Sequence, residues 1–320
     1  MRKLVAALAA GAMLALTAAP ADAEYPTKAV KVIVPFPAGG AADTIMRVIS
    51  QPLAQALGQP VVVDNRPGAD GAIAADAVMK SAPDGYTLFM ATSSAMSAVP
   101  AMRKVPPYDP VAAFTPITKV GTFSYFLFTH PSVPAKSVNE LIEYIRANPG
   151  KLNYAGATTT GIMAAVQLAS FARLDMERVP YKGEGPASID LISGRVHLMF
   201  ATPTNALGPA KEGRLRVLAT LLPQRSPAAP DAPTMSEAGA PKLSIVPWAG
   251  FFGPAKLPPD VVARLNRELS AILKRPEVRA QIERQAFEVQ TSTPEELAAY
   301  TREQVEVWKT AVRDSEMALE

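Results

Sequence analysis

The residues able to do chemistry in this chain are few, and most of them are turn glycines rather than titratable groups. Two stretches share one plan, in which a short apolar strand ends in a glycine-containing turn that opens a helix. The first runs from Val34 to Asp43 with Gly39 and Gly40 in the turn, and the second from Tyr154 to Gly161. A helix N-terminus presents backbone N–H groups without intrahelical partners and the positive end of the helix dipole. A neighbouring glycine lets an anion approach that backbone closely. Two such turns facing each other across a cleft would bind a carboxylate at each end of a small ligand. The plainer role is that Gly39, Gly40 and Gly161 only make tight turns, and spacing alone favours it. Asp43 reads first as an N-cap and second as a partner for a ligand amine or hydroxyl. Lys182-Gly183-Glu184-Gly185, after Tyr181, could form an anion-holding nest. Its likeness to a dinucleotide glycine motif fails, because Ser188 stands where the third glycine belongs.

Signatures of catalysis are missing. The sequence has no G-x-S-x-G nucleophile elbow and no P-loop. His130 and His197 are the only histidines and cysteine is absent, too few ligands for a typical zinc site. His197 sits in an apolar strand and His130 beside Pro131 in a loop. No catalytic residue, metal ligand or cofactor site is therefore expected, and the chain reads as a non-enzyme. The net charge of +3 is small and the 32 Lys and Arg are scattered, which argues against nucleic acid or an anionic membrane as partner.

The elements that must position the turns alternate between strand and helix, which implies an α/β architecture with largely parallel sheet. Strands are expected at Val30–Val34, Val61–Val63, Tyr86–Ala91, Leu152–Ala155, Arg178–Tyr181 and Val196–Phe200. Ile45, Val48, Ile49, Leu53 and Leu57 recur at helical spacing, with Gly58 as the stop and Pro52 as an internal kink. The long β-rich run Ile117 to Phe128 reads as a crossing into a second lobe, and Val217 to Leu221 as the return. Ser137–Glu140 and Thr293–Glu296 are capping boxes. The last helix, with Leu297, Tyr300, Val305, Trp308 and Val312 in its stripe, packs back on the first lobe. The expected division is a first lobe of residues 24–122 and 222–320 and an inserted second lobe of 123–221. At the start of the chain, Arg2 and Lys3, the apolar run Leu4 to Leu16 and Ala21-Asp22-Ala23 form a signal peptide with cleavage after Ala23. Residues 1–23 would thus be removed on export to the periplasm. With no Cys, the exported protein must be stable through its core alone.

Several segments together resemble a known family. Tyr25-Pro26-x-Lys28 is followed by Val32-Ile33-Val34-Pro35-Phe36-Pro37-Ala38-Gly39-Gly40-x-x-Asp43, then by Leu57-Gly58-Gln59-Pro60-Val61-Val62-Val63-Asp64-Asn65-Arg66-Pro67-Gly68-Ala69. Pro83-Asp84-Gly85-Tyr86-Thr87-Leu88, Tyr108-Asp109-Pro110, Val179-Pro180-Tyr181-Lys182-Gly183, Arg225-Ser226, Pro233-Thr234-x-x-Glu237-Ala238-Gly239 and Trp248-x-Gly250 follow in order. This set resembles Bug-type receptors, the periplasmic substrate-binding subunits of tripartite tricarboxylate transporters, over essentially the whole mature chain. The resemblance implies a two-lobed, type II-like Venus-flytrap fold with crossing strands at the hinge. It also implies a small organic acid as ligand, a membrane permease of one large and one small subunit as partner, and a monomeric state.

Carried onto this sequence, the family's first-lobe contact is the turn from Phe36 through Ala38, Gly39 and Gly40 to Asp43, with Ser93 after the third strand. The second-lobe counterpart is Ala157, Thr158, Thr159, Thr160 and Gly161, with Tyr181, Lys182, Gly183, Thr202 and Asn205 nearby. The resemblance reverses the preference for purely structural turns. Met96, Val99, Ile162 and Ala165 stand where relatives often carry polar side chains. If they line the cleft, an aromatic or alkyl carboxylate is expected to bind better than citrate. A sensor that delivers its closed form to a signalling kinase would need the same flytrap and is the alternative to transport.

Overall fold

The structure is a computed structural model in which residues 25–240 and 245–315 are described, so the expected signal peptide lies outside the described residues. The chain begins with two parallel crossovers. A run of β-branched residues forms β1 (Val30–Val34), and a tight turn leads to α1 (Ala41–Leu57). Ile45, Met46, Ile49, Leu53 and Leu57 recur every three to four residues and are all buried, which fixes the face that α1 lays on the sheet. Pro52 lies within the helix, which continues past it and ends at Gly58 in the left-handed conformation. β2 (Val61–Asn65), α2 (Ala72–Met79) and β3 (Thr87–Thr92) complete the unit, and β1 pairs in parallel with both β2 and β3.

After β3 comes a π-helical turn, Ser94–Ala98, which continues into α3 (Val99–Met102) and then β4 (Phe114–Phe123). Ser124 and Tyr125 carry the chain across to β5 (Phe126–Thr129) and into a second sheet. There α4 (Val138–Ala147), β6 (Asn153–Gly156), α5 (Thr159–Ala172), β7 (Glu177–Pro180), α6 (Glu184–Ile192), β8 (Leu198–Ala201), α7 (Leu207–Lys211) and β9 (Arg216–Thr220) follow. The chain then returns to the first sheet as β10 (Trp248–Pro254), α8 (Pro259–Leu273), α9 (Pro276–Glu283), β11 (Phe287–Val289) and α10 (Pro294–Asp314). The six-stranded sheet has the order β11-β4-β10-β3-β1-β2 and the five-stranded sheet β7-β6-β8-β5-β9.

β10 was not expected from the sequence, yet it is a central strand, antiparallel to both β3 and β4. Gly250, Gly253 and Pro254 hide its strand character, and its pairing with β4 slips at two places. Alternation still sends Phe251 into the core under α1 and α8 and Phe252 into the core on the opposite face. Burial of each ring contributes about 1.5–3 kcal/mol.

The return between lobes differs from the expectation. Residues 216–220 form β9, the edge of the second sheet, and the chain stays with that lobe well beyond residue 222. Met235 and Ala240 pack into the second-lobe core, while Thr220 N–H donates to Pro233 O at 2.8 Å and Met235 N–H to Thr220 O at 2.9 Å. Ala240 therefore still packs with the second lobe, and Pro247 already lies beside β4, its carbonyl accepting from Phe123 N–H at 2.8 Å. Between the two crossings, the buried hydroxyls of Ser124 and Ser226 meet at 3.1 Å. Behind the hinge, Met163 of α5 packs with Ala98, Ala101, Ile245, Trp308, Ala311 and Val312, so the end of α10 bridges both lobes.

Thr293 caps α10 with a complete capping box, as its residues predict. At α4 only half of one forms: Ser137 accepts from Glu140 N–H, but the Glu140 carboxylate accepts from Lys136 N–H instead.

Candidate functional site

The first-lobe turn is held by residues that stand behind it. Asp43 is only 1% exposed. One of its oxygens accepts from Gly39 N–H and from the Arg47 guanidinium, both at 2.9 Å, and the other from the Asn65 amide at 3.0 Å. The same amide donates to Phe36 O at 3.0 Å. Burial alone would raise the Asp43 carboxyl. The hydrogen bonds from Arg47, Gly39 and Asn65 outweigh it and hold the group below the usual carboxylate range. Asp43 is not the N-cap expected of it. Gly40 occupies that position with no side-chain cap, and Asp43, three residues on, reaches back to tie the turn. Thr44 makes the first intrahelical bond, to Gly40 O at 2.9 Å, so the N–H groups of Ala41 and Ala42 precede the helical ladder.

The second lobe supplies two more helix starts. Thr158 caps α5, its hydroxyl accepting from Gly161 N–H at 3.2 Å. Gly161 belongs to the helix rather than to the turn. A Cβ there would lie 2.5 Å from Phe200 O, so glycine is required for α5 to approach β8. Gly183, at φ +114°, opens α6, and Glu184 is its first residue.

These three helix starts converge on one inter-lobe cavity of about 250 Å³. From the first lobe, Phe36, Ala38, Gly39, Gly40 and Ser93 line it. From the second, Thr158, Thr160, Lys182, Gly183, Thr202 and Asn205 do. Five expected residues stand off the wall. Asp43 braces the turn, Thr159 and Gly161 are buried within α5, and Ala157 packs against the second-lobe core. Tyr181 also packs there and donates from its hydroxyl to Asp190 at 2.8 Å.

Met96, Val99, Ile162 and Ala165 do not line the cavity. Met96 and Val99 belong to a first-lobe core cluster and Ala165 to a second-lobe one, while Ile162 is buried beside Gly156. The π-helical turn tucks Met96 and Val99 inward, and Ile162 and Ala165 follow the packed face of α5. The preference for an aromatic or alkyl ligand rested on these four residues and falls with them.

Sequence reasoning did not single out Tyr125 and Pro247 from the crossings, Phe123 and Thr92 from strand ends, or Glu184 as wall residues. Glu184 stood within the nest motif, but its partners come from distant places in the chain. One carboxylate oxygen accepts from the Tyr125 hydroxyl at 2.7 Å and from Thr202 N–H at 3.1 Å, and the other accepts from the Thr202 hydroxyl. Tyr125 also shares a hydrogen bond with Thr158, and burial pushes the pKa of its phenol well above the ordinary value. No sequence spacing brings residues 125, 158, 184 and 202 together; the sheet order does.

His130 bonds Ser132 and His197 bonds Asn153, both away from the cavity. Among the described residues no group of three or more acidic or histidine side chains could hold a metal ion, and no helix is long and apolar enough to cross a membrane.

A family model for the tripartite tricarboxylate transporter family receptor matches residues 45–317. Protein BugT of Bordetella pertussis is 35% identical over 322 residues, covering 98% of each chain. Among solved structures, Rpa4515 of R. palustris with adipate superposes with a TM-score of 0.87 at 30% identity, covering 92% of this chain and 99% of the other. MatC of Rhodopseudomonas palustris with bound malate gives 0.83 at 32% identity, covering 90% and 100%. The match spans both lobes and the crossings between them, and the chain belongs to the tripartite tricarboxylate transporter receptor family, with its two-lobed periplasmic binding protein fold.

Proposed function

We propose that this protein is an exported periplasmic receptor. It binds a small organic carboxylate between its lobes and presents the closed form to the large and small membrane subunits of a tripartite tricarboxylate transporter. One observation carries the reading: three helix N-termini, one from the first lobe and two from the second, open onto a single cavity. Unpaired N–H groups and aligned peptide dipoles favour an anion there without a dedicated cation. In this reading, the carboxylate sits against Phe36 to Ala42, and Thr158, Thr160, Thr202 and Asn205 grip the rest of the ligand. Structures similar to this one hold adipate and malate, which supports a carboxylate.

Closure follows from the ligand touching both lobes. Such a ligand interacts with two walls only when the lobes meet, so it stabilises the closed arrangement by its differential affinity. Asp43 and Asn65 keep the first wall rigid, so little ordering is needed at that end on binding. Titration calorimetry against a panel of organic acids tests the proposal. Saturable one-to-one binding of at least one acid, absent for its methyl ester, is expected. A panel without binding, or esters that bind as well as acids, would refute it.

A further inference from the structure

Among the described residues Glu184 is the one carboxylate on the cavity wall, and the proposed function gives it no task. Its three neighbours are all donors: the Tyr125 hydroxyl and Thr202 N–H on one oxygen, the Thr202 hydroxyl on the other. Thr202 N–H can only donate, and both hydroxyls are oriented as donors, so the carboxyl is placed as an acceptor. The Tyr125 phenol stays protonated, because burial and the charge of Glu184 itself both oppose its ionisation. Burial is the larger effect and raises the Glu184 carboxyl above the usual carboxylate range; the Thr202 and Tyr125 hydrogen bonds oppose it only in part, and no neighbouring cation contributes. Lys182, the cation on the same wall, is exposed and forms no ion pair with it. The site therefore holds a half-buried carboxyl whose hydrogen bonds are partly filled and whose charge no neighbouring cation offsets. An ionised carboxylate offers about four acceptor positions, of which these neighbours take three.

We propose that Glu184 selects a ligand bearing an ammonium group, so that the acid bound here is a zwitterion with its carboxylate on the first-lobe turn and its amine against the second lobe. The inference rests on the carboxylate reading of the cleft and goes beyond it by naming what the other end of the ligand must be. A second carboxylate at that end would meet a like charge, whereas an ammonium group supplies the missing counter-charge and the missing donor, and its contact with a full unit charge outweighs the partial positive charge at the starts of α5 and α6.

The test uses matched pairs in which one carboxylate is exchanged for an amine on the same skeleton. The pairs are succinate with 4-aminobutanoate, adipate with 6-aminohexanoate, and terephthalate with 4-(aminomethyl)benzoate. Each is titrated at pH 7.5 into the wild type and Glu184→Gln, within a broader panel of acids with and without amines. In the wild type the tightest ligand carries an ammonium group and beats its dicarboxylate partner by about tenfold or more, a difference of ~1.4 kcal/mol. In Glu184→Gln that ratio collapses or inverts. Dicarboxylates binding the wild type as tightly as the amines, or binding confined to acids without an amine, overturns the proposal and leaves the carboxylate reading standing. An amine preference that survives unchanged in Glu184→Gln overturns the role given to Glu184. No binding by any acid overturns both readings. The wild-type comparison decides the ligand class even if the variant does not fold.

Discussion

Gly40→Val separates binding from folding at the first-lobe turn. Gly40 has φ −77° and ψ 166°, a conformation open to any residue, and a Cβ there meets nothing closer than Pro37 O at 3.4 Å. The backbone therefore accepts valine, at about 1 kcal/mol or less for losing a favourable N-cap residue. The new isopropyl group enters the cavity where the carboxylate is proposed to meet the start of α1. Gly39→Val is the contrast. Gly39 sits at φ +81°, where an L-residue costs about 1–2 kcal/mol, so that variant weakens the apo fold as well. The assay is a melting curve with and without the organic acid that shifts the wild type most. At ~100 times its dissociation constant the ligand stabilises the native state by about 2.7 kcal/mol, a shift on the order of 5 °C in a chain of this size. Gly40→Val should melt close to the wild type when empty and show no shift with ligand. A wild-type shift in Gly40→Val would mean that the turn shapes the lobe and does not touch the ligand.

Asp43→Ala removes the acceptor of Gly39 N–H and one of the two bonds of the Asn65 amide, which keeps Phe36 O, so urea unfolding should show a loss of about 1–3 kcal/mol. Because the Asp43 carboxyl is held low in the folded state, its contribution is complete above the unfolded value of about 4 and lost as pH falls through the lower folded value. The acid limb of a stability–pH curve should therefore flatten in Asp43→Asn, while the curve near neutrality keeps its slope. At the hinge, Ser226→Ala leaves the buried Ser124 hydroxyl without its partner and should cost about 1–3 kcal/mol, Ser124→Ala should cost less because Ser226 still accepts from Ala228 N–H, and the double variant should cost less than the sum, a coupling read from a double-mutant cycle. Ile162→Thr should lower stability by about 1–3 kcal/mol through a buried hydroxyl and leave ligand selectivity unchanged; altered selectivity would put Ile162 back on the cleft wall.

The sequence made local order legible and left long-range convergence hidden. The stripe of α1, the Gly58 stop, the Thr293 capping box and the run that crosses between lobes are written in neighbouring residues, and each forms. The repeated strand–turn–helix plan at Gly40 and Thr158 was readable for the same reason. β10 was not, because two glycines and a proline look like a loop unless β3 and β4 are known to flank it. The position of the return crossing escaped for a related reason: Met235 and Ala240 carry no mark of the lobe they pack on. Glu184 appeared in the sequence as part of a possible nest. Its setting depends on Tyr125, from the crossing, and Thr202, from the end of β8, and on a sheet order that no spacing encodes. Met96, Val99, Ile162 and Ala165 show the opposite failure. Aligned positions indicated contact with the ligand, and the packing of the π-helical turn and of α5 turned them inward.

A crystal structure of the complex with the tightest-binding acid from the calorimetric panel tests the central claim most directly. The account predicts lobes closed on one ligand, with a carboxylate oxygen about 2.7–3.2 Å from backbone N–H groups at the start of α1, directly or through one water, and the other end against α5 and α6. A ligand held by one lobe alone, or a carboxylate facing away from all three helix N-termini, would contradict it.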